Sequence, residues 1–384
     1  MWAPILILLS SIGIIGANSL LLAPIVSAVG QTLGVPAAQV MHAASAYGLG
    51  TAFAALTLAP LSDRYGAGRM LRLALIGLAL GLAASAWAPT LIALIVAQAL
   101  CGVASGIALP AIYALPASIA PAGREAQVTG AVLTGWTVSL VLGVSVSAYA
   151  TDLVGWRAVY AVLTAAAALL WVLSSPLRTM GVGSGRLTSP LSALRVPGLR
   201  RALTAVSLIM TAFYTSYFFM GIHVTEVLHG TSAMAGAISL SYGIGFGLAV
   251  LVDPFLDRVG LARATAPLFA MVAVSYGLMG LASPSYLGLV GFAFLWGIGQ
   301  HLALNLVVAR LTALDPIQRG AIMGLNSTVT YLCVFLSPFI GSVLFSQFGL
   351  IGCLTASAFL CLIEAVEALS LRRSVTSGSP VVQP

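Results

Sequence analysis

Apolar positions along the chain neither alternate with polar ones, as in a half-buried strand, nor form one stripe on an otherwise polar helix. They run together in long blocks separated by short clusters of Gly, Pro, Ser, Asp and Arg. A helix needs about 20 apolar residues to cross roughly 30 Å of hydrocarbon while satisfying its own backbone hydrogen bonds. Twelve blocks meet that requirement, at 5–29, 38–59, 70–88, 91–114, 126–150, 156–175, 202–225, 233–256, 262–282, 286–309, 319–344 and 348–371. The pattern predicts an all-α integral membrane protein of twelve transmembrane helices. Its connections are short except for 176–201. The first block is not expected to be a cleaved signal peptide, because no basic residue precedes it and it outruns the usual apolar core of such peptides.

Composition removes the alternatives. Of 384 residues 60% are hydrophobic and only 7% charged, against about 25% charged in a soluble domain. A water-facing skin cannot be made from so few charges, and the disordered, collagen-like and coiled-coil classes need other compositions. Cys101, Cys333, Cys353 and Cys361 sit inside apolar blocks without metal-ligand spacing and read as small core residues, so no metal and no cofactor are expected. The net charge of +7 comes with no lysine: all sixteen basic residues are arginines. Fifteen of them fall in loops on one side of a twelve-span topology and only Arg157 opposite. The positive-inside rule then places both termini and the long connection in the cytoplasm, which explains the charge without nucleic acid. The long connection contains Ser189-Pro190 followed by Leu191, Leu194 and Leu199 among arginines, which fits an interfacial amphipathic segment or a plain basic linker.

Comparing the chain with itself at an offset of 194 to 195 residues pairs features in the same order. Tyr47-Gly48-Leu49-Gly50 matches Tyr242-Gly243-Ile244-Gly245, and Asp63-Arg64-Tyr65-Gly66 matches Asp257-Arg258-Val259-Gly260. Arg69 matches Arg263, Gly102 matches Gly297, and Pro121, Arg124, Gly130 and Gly155 match Pro316, Arg319, Gly324 and Gly349. A parallel six-plus-six duplication follows, with the halves related by an axis along the membrane normal and a pathway expected between them. The expected organisation is a bundle at 1–175, a linker at 176–201, a second bundle at 202–372 and a disordered tail at 373–384.

These residues resemble the major facilitator superfamily. The loop Ala59-Pro60-Leu61-Ser62-Asp63-Arg64-Tyr65-Gly66-Ala67-Gly68-Arg69 is similar to the family's Gly-x-Leu-x-Asp-Arg-x-Gly-Arg loop with the first glycine replaced, and Gly155-Trp156-Arg157 resembles its entry to the sixth span. Gly143-Val144-Ser145-Val146-Ser147 resembles, without the proline, a fifth-span motif of drug-efflux and sugar-efflux antiporters. Gln98-Ala99-Leu100-Cys101-Gly102 resembles a fourth-span motif that carries an arginine, implicated in proton coupling, which is absent here.

Asp63, Arg64, Gly66, Arg69, Arg124, Asp257, Arg258 and Arg319 are gating candidates, since charge-assisted contacts at one end of the bundle could latch the halves. A topogenic turn is the plainer reading. The resemblance implies a cavity lined by spans one, four, seven and ten, where Asn18, Gln98, Tyr214, Tyr217, Gln300, His301 and Asn305 lie near the centre. Tyr47, Trp136, Tyr242, Asn326 and Tyr331 lie at similar depth on neighbouring spans. This set offers hydrogen bonds and aromatic faces with almost no fixed charge, which suits a small neutral or amphipathic solute; some members would instead serve as interhelical glue. No acid lies deep in the first six spans, so the proton-coupling candidates are His301, Asp253 and Glu364. Glu364 and Glu367 also read as partners of Arg372 and Arg373, and Asp253 as a cap.

The expected function is secondary transport by alternating access: proton-coupled efflux by a monomer in the cytoplasmic membrane, with solute, protons and lipid as its partners. An uptake symporter or a passive facilitator of the same fold is the alternative. An intramembrane enzyme is remote, because no metal-ligating helix pair, nucleophile elbow or nucleotide loop is found.

Overall fold

The computed structural model describes residues 2–121, 124–181, 190–259, 261–315 and 318–376. The side chains of Asp63 and Asp257 also lie outside the described residues. In the first half, α1 is Trp2–Leu33, α2 Ala37–Thr57, α3 Ala67–Ala86 and α4 Leu91–Ala114. α5 is composite, running Glu125–Val138, through a π-helical stretch Ser139–Val144, and on as Ser145–Val154; α6 is Trp156–Leu173. In the second half, α7 is Leu199–Ile222 with a π-helical end His223–Val227, and α8 is Ser232–Leu248 with a 3-10 end Ala249–Val252. α9 is Leu261–Leu281 and α10 Tyr286–Leu314. The stretch Arg319–Thr376 is two helices, α11 and α12, divided at Gly349.

Each of the twelve apolar blocks therefore falls on a helix. By length and composition alone ten stretches among the described residues could cross a membrane. The residues 319–369 count once there although they hold two helices. α2 is absent from the ten because Gln39, His42, Ser45, Tyr47 and Thr51 lower its hydropathy. Ser45, Tyr47 and Thr51 face protein and are buried, while Gln39 is exposed near the start of the helix. Twelve passes bring the start of α1 and the end of α12 to the same end of the bundle, called proximal below; the other end is distal.

Two glycine pairs show how the repeat is built. Gly155 and Gly349 both have positive φ, 83° and 64°, and each makes the distal turn between the fifth and sixth helix of its half. Side chains with a Cβ avoid that region. Gly102 and Gly297 each lie so close to a neighbouring helix that a Cβ would collide with the backbone carbonyl of Tyr47 and Tyr242 respectively. Such close approach is how helices gain van der Waals contact in lipid, where no hydrophobic drive separates helix from solvent. Between the halves, Gly48 packs on Phe335 of α11 and Gly243 on Leu140 of α5, again at matching places. Across this interface α1 meets α7, α2 meets α11 and α5 meets α8.

Loops add detail. The amides of Ala67 and Gly68, at the start of α3, donate to the carbonyls of Gly181 and Met180 at 3.0 and 3.3 Å, so the chain after α6 caps α3. The segment Pro190–Arg195 is a 3-10 helix that buries Pro190 and Ala193 and leaves Leu191 and Leu194 turned outward. Arg157, the lone basic residue expected on the distal side, lies 4.3 Å over the Trp156 ring and donates to the Ala88 carbonyl at 2.8 Å, fastening α6 to the α3–α4 turn.

Candidate functional site

In the first half, Asn18 on α1 and Gln98 on α4 are fully buried and bind each other. Asn18 Nδ2 donates to Gln98 Oε1 at 3.2 Å, and Gln98 Nε2 lies 3.3 Å from Asn18 Oδ1. Gln98 Nε2 also reaches Ser85 Oγ on α3 at 3.1 Å and Tyr160 OH on α6 at 3.3 Å. These amides tie four helices together and point into their own half rather than across to the other. Trp136 donates its ring N–H to Tyr113 OH at 3.3 Å. Tyr47 meets Tyr331 across the interface edge to face, at 6.1 Å between centroids.

The second half has a cluster of rings centred on Phe213 of α7. Tyr214, Tyr217, Tyr242 and Trp296 lie 4.9, 5.2, 5.5 and 5.3 Å from it, centroid to centroid. Tyr242 also contacts Trp296 at 4.6 Å, and Tyr276 of α9 closes the far side of Trp296 at 5.4 Å. Tyr217 OH shares a 3.0 Å hydrogen bond with Ser239 on α8. Edge-to-face and offset packing of this kind holds flat rings in place and presents faces to a flat guest. Phe213, Phe246, Tyr276 and Trp296 are not among the sequence candidates.

One side chain further along this wall stands a titratable pair. His301 Nε2 of α10 is 3.2 Å from Asp253 Oδ2, just past α8, and Phe246 packs edge-on against the imidazole at 4.8 Å. Two residues chosen separately in the sequence are thus brought together. Both are partly buried, with His301 Nδ1 and Asp253 Oδ1 left without a hydrogen-bond partner among the described residues. Gln300 Oε1 and Asn326 Oδ1 are likewise buried and unpartnered. Asn305 is exposed on α10.

Glu364 is deeply buried, and its ionic partner among the described residues lies on another helix. Its carboxylate lies 3.6 Å from Arg310 of α10, while Glu367 pairs with Arg201 of α7 at 2.7 Å. The side chains of Arg372 and Arg373 lie outside the described residues. Among the gating candidates, Arg64, Arg69, Arg124, Arg258 and Arg319 are exposed at the proximal end. Arg64 stacks over Tyr65 at 5.4 Å, and Arg319 Nε donates to the last turn of α10 at Thr312. Gly66 has φ 91° and starts α3.

Space is unequally distributed. Between Pro24 of α1 and Tyr217, Tyr242 and Trp296 only about 10 Å³ remains, enough for a water and not for a solute. Towards the proximal end a cleft of about 350 Å³ opens between α7 and α11, lined by Arg200, Leu203, Thr204, Ser207, Leu208 and Val329.

Known proteins share both sequence and architecture with this chain. Residues 8–309 match the family model described as Major Facilitator Superfamily. An uncharacterized MFS-type transporter of Bacillus subtilis (strain 168), YwfA, is 25% identical over 343 residues, covering 87% of this chain and 83% of the relative. The chloramphenicol efflux pump Rv0191 of Mycobacterium tuberculosis (strain ATCC 25618 / H37Rv) is 25% identical over 368 residues, with the same two coverages of 87% and 83%. The crystal structure of a D-xylose-proton symporter superposes with a TM-score of 0.77 at 13% identity, covering 96% of this chain and 97% of that one. Twelve membrane-length helices in two matching sets of six, an interface formed by the same helix pairs in each half, and a family model spanning most of the length lead to one assignment: this chain is a multi-pass membrane protein of the major facilitator superfamily, a family of small-molecule transporters and not of enzymes.

Proposed function

We propose that this transporter exports small neutral or amphipathic organic solutes across the cytoplasmic membrane by alternating access, in exchange for protons. The observation that carries the reading is the ring cluster around Phe213, with the His301–Asp253 pair on the same wall. Rings offer dispersion and quadrupole contacts to a flat apolar face, Ser239, Gln300 and Asn326 offer hydrogen bonds, and among the described residues the charged pair beside the rings is His301 with Asp253. Chloramphenicol, a neutral molecule with one aromatic ring and two hydroxyls, has that chemistry and is the cargo named for the mycobacterial relative.

On this reading the proximal end is cytoplasmic, as the arginine distribution favours, and both termini lie inside. Residues 1–175 and 202–372 move as units joined by 176–201, and each chain, as a monomer, holds its own pathway. Asn18 and Gln98 stiffen one unit, whereas Tyr214, Tyr217 and Tyr242 face the solute. The Asp63-Arg64 and Asp257-Arg258 loops act at the inner gate with Arg69, Arg124 and Arg319. His301 and Asp253 share a proton that leaves when solute binds; Glu364, already engaged with Arg310, clamps α12 to α10.

Inside-out proteoliposomes test this. With an imposed pH gradient, labelled chloramphenicol should accumulate, and an uncoupler should abolish accumulation. His301→Gln and Asp253→Asn should retain downhill exchange and lose uphill transport. Equilibration of the solute without accumulation, at a rate that ignores the gradient, would instead support a passive facilitator, the reading favoured by the lack of a deep acid in the first six helices.

A further inference from the structure

A carrier that opens in turn to two sides needs contacts between its halves that form in one state and break in the other. At the distal end the carboxylate of Asp152, in the last turn of α5, lies against the first turn of α8. Its Oδ1 accepts from the Ser232 amide at 3.2 Å and its Oδ2 from the Ala233 amide at 2.7 Å. The next amide, of Met234, donates to Thr231 Oγ1 at 3.3 Å, and that of Ala235 to the Thr231 carbonyl at 3.1 Å. The Ala235 amide makes the first bond within the helix, and the three amides before it, which have no partner inside the helix, are thus all satisfied. Two of their acceptors belong to the other half of the molecule. A carboxylate here gains from charge-assisted hydrogen bonds and from the positive end of the helix dipole.

Neighbouring contacts show that this end is shut. Gly236, one turn further along α8, packs so tightly on Ala148 and Ser145 of α5 that a Cβ would collide with Ala148. On the α1–α7 side, the hydroxyls of Ser27 and Thr225 are 2.7 Å apart, and Ser27 Oγ reaches Glu226 at 3.4 Å. The repeat supplies an internal comparison. At an offset of 195 residues Asp152 is matched by Gln347 and Ser232 by Ala37, so the related corner, where α11 meets the start of α2, has no acid at this place. The carboxylate is therefore not a by-product of duplication.

We infer that Asp152 is a gating residue, a detachable cap that holds the start of α8 to α5 and keeps the outer end closed until the halves part. The inference rests on the alternating-access reading above. The test is the distance between spin labels at Val154 and Leu287, both exposed at the distal end, one in each half. The intact full-length protein should show a short and a long population. Asp152→Asn and Asp152→Ala should move the ratio about fivefold towards the long one. Ser232→Pro removes one of the two donors while leaving the acid; proline is well tolerated at a helix's first position, and Thr231 before it is already extended. It should move the ratio the same way by less. Thr90→Ala deletes a cap inside one half, where Thr90 Oγ1 accepts from the Ala93 amide at 3.2 Å, and should lower the melting temperature without moving the ratio. If two populations are seen and Asp152→Asn and Ser232→Pro leave them where Thr90→Ala does, the cap is not a gate, although the carrier reading survives. If no second population appears in any variant or under a pH gradient, both ideas fall.

Discussion

At matching places in the two halves, Gly102 and Gly297 press against the carbonyls of Tyr47 and Tyr242. Yet Asn18 is matched by Phe213, Gln98 by Ala293, Cys101 by Trp296 and Gly106 by His301. Where backbone touches backbone, duplication has left the same small residue, because a side chain at either site would force two helices apart. Elsewhere the halves have diverged into different chemistries. The first half spends its buried amides on one another and on Ser85 and Tyr160, a satisfied network that stiffens four helices. The second has rings at the centre of its bundle and leaves buried polar atoms of Gln300, His301 and Asp253 without a hydrogen-bond partner among the described residues. Buried groups without partners cost free energy, so the second half is where a ligand or proton has most to gain by arriving.

The largest effects should come from the shared architecture. Gly102→Ala and Gly297→Ala should each destabilise the detergent-solubilised protein by about 2–3 kcal/mol in thermal unfolding, whereas Gly130→Ala, entering open space, should change it by less than about 0.5 kcal/mol. Very unequal losses at the two matched sites would break the comparison at its base. Next, Gln98→Leu and Asn18→Leu should each cost about 1–2 kcal/mol, and the double variant less than their sum, since it leaves no orphaned amide. Tyr242→Leu should weaken chloramphenicol binding about tenfold by equilibrium dialysis. Asn18→Leu should leave affinity within about twofold, which sharpens the division of labour. The smallest effect is expected at Arg157→Gln, which loses its ring contact and its bond to Ala88 for about 1 kcal/mol or less and should transport normally.

Much of this fold is legible in the sequence because membrane crossing imposes a length, and the length survives without any knowledge of packing. The division at Gly349 is legible for a further reason, its match to Gly155. The partners of buried groups are not legible, because they depend on how helices are rotated. Asn18 and Gln98 are 80 residues apart, and only the packing of α1 on α4 aims them at each other. Glu364 and Glu367 meet Arg310 and Arg201, which lie far away along the chain and are brought alongside by α10 and α7. Phe213 and Trp296 escape a search for polar residues in apolar spans since aromatic side chains look like any lipid-facing position. Asp152 gives no signal either, standing near the end of its span where an acid is unremarkable in composition.

The most direct test of the divided roles is to count protons released when solute binds. In lightly buffered detergent solution at neutral pH, adding chloramphenicol to the purified transporter should release protons in proportion to the solute bound, followed with a pH indicator. Asn18→Leu should release as many per bound solute as the unaltered protein, and His301→Gln and Asp253→Asn should release almost none. Release that persists in both second-half variants, or disappears with the first-half one, would contradict the account.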